Sequence, residues 1–558
     1  MNYREQYQAW LTMFRDDAAT YRELENLTDE KEIEYRFYRD LEFGTAGMRG
    51  VIGAGTNRMN FYTVRRVTLA LAHFLKTFPE GAERGVAIGY DSRRFSTEFA
   101  REAALVLANE GVKAFLFDAL RPVALLSFAV RSLHCLAGIV ITASHNPPEY
   151  NGYKVYWEDG GQLPPDRAKE ITCLLPDIAF DQAKPMEENE AREKGLLKTI
   201  GKEIDDAYIA RVKTLQVNPA LAQEMGKTLK IVYTPLNGSG NVPVRRILRE
   251  IGMENVYVVP EQELPNGDFP TVRVPNPEEK DAFRLAVELQ KKLGADLCVG
   301  TDPDCDRVGV ACLTADGEVR LLNGNQIGVV LLHYILSQKQ KLGTLPQNAA
   351  AVKSFVSSEM ARAICEHYGV KLFDVLTGFK FIAEKIHEFE VDHSYAFQFG
   401  FEESYGYLSG TDVRDKDGVN ACMLIAEAAC FYKQKGLTLV DAVEELYREY
   451  GYFEEKTISV TLSGKDGMEK IQNLMTALRK NPPSVIGGQG VLEVRDYMAR
   501  PEKSNAIYFR MENGWACVRP SGTEPKLKLY AGAKGNSHAQ AGEMLRGIEA
   551  SLRETLGL

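Results

Sequence analysis

The sequence predicts an α/β protein: three successive units in which strands alternate with helices on mixed, largely parallel sheets, followed by a smaller α+β unit. Three observations carry the prediction. Short β-branched runs alternate with stretches of helical period. The alternation restarts near residues 229 and 323, and it stops at about 451. At 558 residues the chain is also too long for one core, with room for three or four domains of about 100–200 residues each.

The elements follow in order. After a polar, helical lead, "GVAIGY" at 85–90 reads as a strand, and "STEFAREAALVLANEG" from Ser96 puts Phe99, Ala103, Val106 and Leu107 on one helical face. "AFLF" at 114–117 and "GIVIT" at 138–142 continue the alternation. The second unit opens with "LKIVYT", then a helix from about Asn241, "VYVV" at 256–259, a helix over 278–292, and "DLCVG" at 296–300. In the third, "NQIGVVLLHYIL" reads as helix, "AAAVKSFV" contains a strand, and "KLFDVLTGFK" is a strand opening into a loop. Beyond 451, "KTISVTL" and "AIYFRM" precede a final helix over roughly 537–553. The units are drawn at 1–205, 206–322, 323–450 and 451–558; the first three read as diverged copies.

Composition narrows the class. With 45% hydrophobic and 26% charged residues the chain is ordinary globular protein. A formal charge of −10 speaks against nucleic acid and anionic membranes as partners, so a phosphate site has to be a local basic pocket. Nine cysteines without C-x-x-C spacing read as reduced thiols of a cytoplasmic protein. No apolar signal segment opens the chain, and "IGVVLLHYIL" is too short to span a bilayer.

Four stretches carry chemistry. "TASHNPPEYNGYKVY", 142–156, sets Ser144 beside His145 after a buried strand, without the G-x-S-x-G elbow of serine hydrolases. "GTDPDCDRVGV" alternates Asp302, Asp304 and Asp306 after a strand. It is not an EF-hand, because Arg307 stands at position six and Leu313 at position twelve. Three carboxylates so placed repel one another without a cation, and oxygen ligands beside a substrate phosphate suit Mg²⁺, with Arg307 placed to hold a phosphoryl oxygen. "GFEESYGYLSG" offers Glu402 and Ser404 to vicinal hydroxyls, or is a solvated loop. "RPSGTEPKLKLY" supplies the Arg519 fork, the Ser521 and Thr523 hydroxyls and the Gly522 backbone, which suit a non-reacting phosphate, or is a Pro/Gly turn.

In this order and over almost the whole chain, the four loops resemble those of the α-D-phosphohexomutase superfamily, the phosphoglucomutases and phosphomannomutases. The resemblance implies three related α/β domains and a C-terminal TATA-binding-protein-like domain around a central cleft. It implies that Ser144 carries a phosphoryl group and completes the Mg²⁺ shell with Asp302, Asp304 and Asp306. Sugar monophosphates would then be isomerised through a bound bisphosphate, with glucose 1,6-bisphosphate as primer. It matches Lys154 to the general base, His145 to a loop-positioning residue and Arg49 of "FGTAGMRG" to a cation near the phosphoserine. It matches Thr377, Gly378 and Lys380 of "TGFK" to a sugar-reading loop, and Lys416 of "RDKDG" to a substrate contact.

"EES" leans toward gluco substrates. Phe401 replaces a common glycine, and "TGFK" replaces "TGWK", as in the branch that includes phosphopentomutase. Glucose 1-phosphate is therefore the expected substrate, with pentose or mannose phosphates as alternatives, and a silent sugar-phosphate sensor or a phosphatase as readings of another class.

Overall fold

The computed structural model describes residues 2–44, 47–314, 316–462, 465–500, 503–520 and 526–558. The lead folds as three helices, Tyr3–Met13, Ala18–Glu25 and Glu30–Phe37. Each starts where the side chain of Asn2, Asp17 or Asp29 accepts a first-turn N–H. Their apolar faces close over Trp10, Phe14, Leu24 and Phe37.

The first sheet comprises β1 (Met48–Val51), β2 (Val86–Tyr90), β3 (Ala114–Phe117), β4 (Ala137–Ile141), β5 (Tyr150–Trp157) and β6 (Leu197–Ile200), in the order β1-β5-β4-β2-β3-β6. Strands β2 and β4 are buried throughout, as a sheet covered on both faces requires. The second sheet holds β7 (Lys230–Thr234), β8 (Asn255–Val258), β9 (Leu297–Thr301), β10 (Val308–Leu313) and β11 (Val319–Leu322), ordered β11-β10-β9-β7-β8. The third holds β12 (Ala349–Ser354), β13 (Lys371–Val375), β14 (Ala396–Glu402) and β15 (Gly406–Leu408), ordered β13-β12-β14-β15.

The three sheets share one device. A parallel strand turns back through a short loop into an antiparallel neighbour: β4 into β5, β9 into β10, and β14 into β15. The loops lie beyond the carboxyl ends of β4, β9 and β14, the edge where open α/β sheets bind ligands. In each, one non-glycine residue has a positive φ: Ser144 at 52°, Cys305 at 53° and Tyr405 at 64°.

One continuous core joins the three units and includes most of the buried helix Gly418–Gln434. That helix begins against the second loop, where the Gly418 N–H donates to the Cys305 carbonyl at 3.0 Å. A Cβ on Gly418 would stand 2.4 Å from that oxygen, so only glycine permits the approach. Phe401 fills the space left by Gly328, where an added Cβ would stand 2.3 Å from its ring; the unusual aromatic thus has a partner in the helix Gly324–Lys341.

The helix expected over 278–292 starts later, as a 3₁₀ turn at Lys280–Phe283 that becomes α-helical over Arg284–Leu293. Its expected first turn is instead held by Asn276, which accepts the Glu278 N–H at 3.1 Å. The last unit is a five-stranded antiparallel sheet opened by β16 (Tyr452–Thr461), with the helix His538–Leu556 packed on it. It meets the third unit through Phe355, Val356 and Leu376 against Tyr497, Tyr508 and Trp515. Among the described residues, no helix is long and apolar enough to cross a membrane. All nine cysteines are unpaired, and only Cys173 is exposed.

Glu427, on the buried helix, accepts from Val217 N at 2.9 Å and Gln216 Nε2 at 3.1 Å, and burial raises its pKa to about 7. The folded chain therefore binds this proton more tightly than the unfolded one, and between about pH 4.5 and 7 the contribution falls as pH rises. Glu427→Gln has no proton to lose. Its melting temperature should decline less than wild type between pH 5 and 7.5, as read by thermal unfolding; equal slopes would show that Glu427 does not titrate there.

Candidate functional site

Asp302, Asp304 and Asp306 follow β9 and are all buried, with carboxylate oxygens within 4.8 Å of one another. The loop is folded on itself: Asp302 Oδ1 accepts the backbone N–H groups of Asp306 and Arg307, each at 3.0 Å. Asp304 Oδ1 and Asp306 Oδ1 are buried without a hydrogen-bond partner. Buried anionic oxygens with unfilled acceptor capacity, gathered at one point, fit a divalent cation with oxygen ligands.

Burial, and then the charges of Asp304 and Asp306, push Asp302 well above the usual carboxylate range. Burial acts on Asp304 in the same direction, but the Lys154 ammonium, 2.9 Å away, together with Asp302 and Lys416, holds that carboxyl at about 2.

Ser144 faces the triad. Its Oγ donates to Asp302 Oδ2 at 2.8 Å and lies 3.1 Å from His145 Nδ1. Burial, then Arg307, Arg49, Arg93 and Lys154, holds the His145 pKa well below its ordinary value, so the imidazole is neutral. The positive φ of Ser144 is held from both sides. Its N–H donates to Thr142 Oγ1 at 2.8 Å, and Thr142 donates to Asp91 at 2.6 Å. The buried Arg93 guanidinium donates to the carbonyls of Ser144, Asn146, Pro147 and Tyr150. Arg93 and Asp91 were not among the sequence candidates; they sit in "YDSRRF", immediately after β2 at the same sheet edge.

A cavity of about 130 Å³ is lined by Arg49, Ser144, His145, Lys154, Gln162, Asp306, Arg307 and Lys416, so the first three units all contribute. Arg49 is exposed and donates to Asn146 Oδ1 at 3.2 Å. Arg307 lines the cavity, and its guanidinium is ion-paired with Glu278. Lys416 Nζ is 3.1 Å from Asp306 Oδ2 and 3.0 Å from Asp415 Oδ1.

The third loop packs against the Lys416 stem at Gly406. Glu402 Oε1 accepts the Gly378 N–H at 2.6 Å. Burial, then Glu403, raises the Glu402 pKa to about 7 against the Lys416 ammonium. Thr377 and Ser404 are partly buried on the two adjoining turns. Lys380 lies where the third unit meets the last: burial lowers its pKa, Arg519 adds to this, and Glu384 opposes it. Ser521, Gly522 and Thr523 lie outside the described residues.

Comparison with known proteins defines first the class and then the family. A solved Paramecium phosphoglucomutase, parafusin in an open form, superposes with a TM-score of 0.70 at 17% identity over 93% of this chain and 95% of its own. A phosphoglucomutase/phosphomannomutase family protein of Burkholderia thailandensis gives 0.67 at 18% identity, over 92% and 97%. These likenesses show the fold. Models of the four phosphoglucomutase/phosphomannomutase domains match in order: alpha/beta/alpha domains I, II and III at 40–182, 206–315 and 323–450, and the C-terminal domain at 474–546. The chain belongs to the phosphoglucomutase/phosphomannomutase family, which makes it an isomerase-type phosphotransferase. Its relatives include the phosphoglucomutases of Staphylococcus aureus strain N315 and Staphylococcus saprophyticus, each 38% identical over 90% of this chain and 92% of the relative.

Arg93 yields a test. A lysine cannot reproduce a guanidinium fork that reaches four carbonyls, and misplacing a reacting group by about 1 Å can cost about 10²-fold. Arg93→Lys should fold with a near-normal melting temperature and lose sugar-phosphate turnover by roughly that factor. Turnover close to wild type would show that the loop keeps its shape without the clamp.

Proposed function

We propose that this chain is a Mg²⁺-dependent phosphoglucomutase that interconverts glucose 1-phosphate and glucose 6-phosphate. The observation that carries the reading is the Ser144 hydroxyl, 2.8 Å from a buried carboxylate triad and surrounded by Arg49, Lys154 and Arg307. Sequence identity of 38% with proteins named phosphoglucomutase supports the substrate. A mutase of Aspergillus fumigatus with a TM-score of 0.50 and 14% identity was solved with GlcNAc-6P and magnesium, and a magnesium ion suits the oxygen donors here.

Asp302, Asp304 and Asp306 would hold the ion, which when bound supplies positive charge against a phosphoryl group. Ser144 carries that phosphoryl group in the active form. A hydroxyl of the bound sugar monophosphate attacks the phosphorus, the Ser144 Oγ–P bond breaks, and the hydroxyl proton passes to Lys154 Nζ, which has to enter the step as the neutral amine rather than as the ammonium paired with Asp304. The product is glucose 1,6-bisphosphate, which also primes the enzyme. After the sugar reverses, Ser144 Oγ attacks the other phosphorus, and the proton returns to the sugar oxygen it leaves. Such transfer depends mainly on position and charge neutralisation, so His145 holds the serine loop while Arg49 and Arg307 face the moving group. Thr377, Gly378, Lys380, Glu402, Ser404 and Lys416 read the sugar. Arg519, Ser521, Gly522 and Thr523 hold the phosphate that does not react.

Ser144→Ala should abolish phosphate incorporation into the chain and lower turnover by at least about 10⁴-fold; full turnover would defeat the phosphoserine route. Asp304→Asn should raise the Mg²⁺ concentration needed for half-maximal activity by about tenfold or more, while unchanged metal dependence would remove Asp304 from the site. The substrate is decided by comparing glucose, mannose and ribose 1-phosphates with Mg²⁺ and the matching bisphosphates. Preference for glucose supports the reading, and preference for another sugar moves the substrate within the same chemistry. Release of inorganic phosphate in place of isomer identifies a phosphatase.

A further inference from the structure

We propose that Asp415 is a positioning residue that sets the Lys416 ammonium between the triad and Glu402, and does so through contacts with the first unit. The inference rests on the proposed function for Lys416 but concerns a different residue. Asp415 is a buried carboxylate, 1% exposed, with donors on both oxygens. Oδ1 accepts from its own neighbour twice, from Lys416 N at 2.8 Å and Lys416 Nζ at 3.0 Å. Oδ2 accepts from Tyr156 OH at 2.7 Å and Gln162 Nε2 at 3.0 Å, both from the first unit.

The Lys416 side chain is thereby curled back on its own backbone. Its stem passes Gly406 so closely that a Cβ there would stand 2.2 Å from Lys416 Cδ, and its ammonium lies 5.5 Å from the centre of the Phe379 ring. The head ends 3.1 Å from Asp306. A free lysine has three donors on a flexible four-carbon stem; here one carboxylate selects the direction.

Tyr156 stands two residues after Lys154 on β5, so the two side chains leave the same face of the strand. One strand therefore presents Lys154 to Asp304 and a hydroxyl to Asp415. A backbone bridge between Gly161 and Arg414 ties the two units together, and one between Tyr156 and Gln162 sets the two donors side by side within the first unit. The same displacement of the first unit would move both lysines.

The test uses the full-length protein and two independent readouts. Asp415→Asn, Asp415→Glu and Tyr156→Phe are compared with wild type and Lys416→Met for kcat and KM with glucose 1-phosphate. In parallel, Lys416 acetylation by an amine-reactive ester is followed by mass spectrometry without substrate. Asp415→Asn should acetylate Lys416 several-fold faster and raise KM about tenfold at a near-normal melting temperature. Asp415→Glu should recover part of the KM, and Tyr156→Phe should shift both readouts in the same direction by less. Unchanged acetylation and KM in Asp415→Asn would overturn the inference. So would a loss of kcat that only tracks a lowered melting temperature. If Asp415→Asn does not fold, Tyr156→Phe decides by the same two readouts. A wild type without turnover would defeat the proposed function, while the acetylation rates would still decide the role of Asp415.

Discussion

Three buried carboxylates within 4.8 Å of one another set the terms for the rest of the molecule. Charge of one sign gathered in a low-dielectric interior is tolerated only with protons, cations or a metal nearby. Each of the first three units brings one: Lys154 reaches Asp304 from the first, Arg307 follows the triad in the second, and Lys416 reaches Asp306 from the third. The continuous apolar core beneath these units keeps that balance rigid, because separating them would strand buried charges. Shared core and charge balance are two sides of one arrangement.

The second organising feature is the hairpin turn at the end of a parallel strand, used three times. In all three turns a non-glycine residue takes a backbone conformation that ordinarily favours glycine, and such strain persists where surrounding contacts over-determine it. At Ser144 those contacts are visible: a threonine takes the amide hydrogen, and a buried guanidinium collects the carbonyls of the turn. The Ser144 hydroxyl is thus aimed by contacts to the backbone of its turn.

Much of this was legible in the chain. The strands "GVAIGY", "GIVIT", "LKIVYT" and "DLCVG" show as short apolar runs because both sheet faces are covered, and the triad loop shows because three aspartates alternate directly after one of them. The carboxyl ends of those strands then point to one side. Contacts between residues far apart in the chain were not legible. Arg93 looks like one of two arginines in a turn, and nothing local tells that its guanidinium reaches carbonyls more than fifty residues away. Asp415 hides beside Lys416, and its partners Tyr156 and Gln162 lie in another unit. Glu278 was absorbed into a helix pattern because the following residues, Lys280 to Leu293, do carry helical period; the Asx turn at Asn276 sets it free to meet Arg307. Phe401 reads from sequence as a departure from a common glycine, and its partner Gly328, beneath the ring, lies more than seventy residues earlier in the chain.

Three equivalent turns, each closing its own hairpin, also bear on how such a protein diversifies. A turn anchored at both ends by strand pairing can change its side chains without altering the register of its sheet. The turn between β14 and β15 can therefore drift while those after β4 and β9 stay as they are. The side chains each turn presents are thus separable from the strand register that supports it.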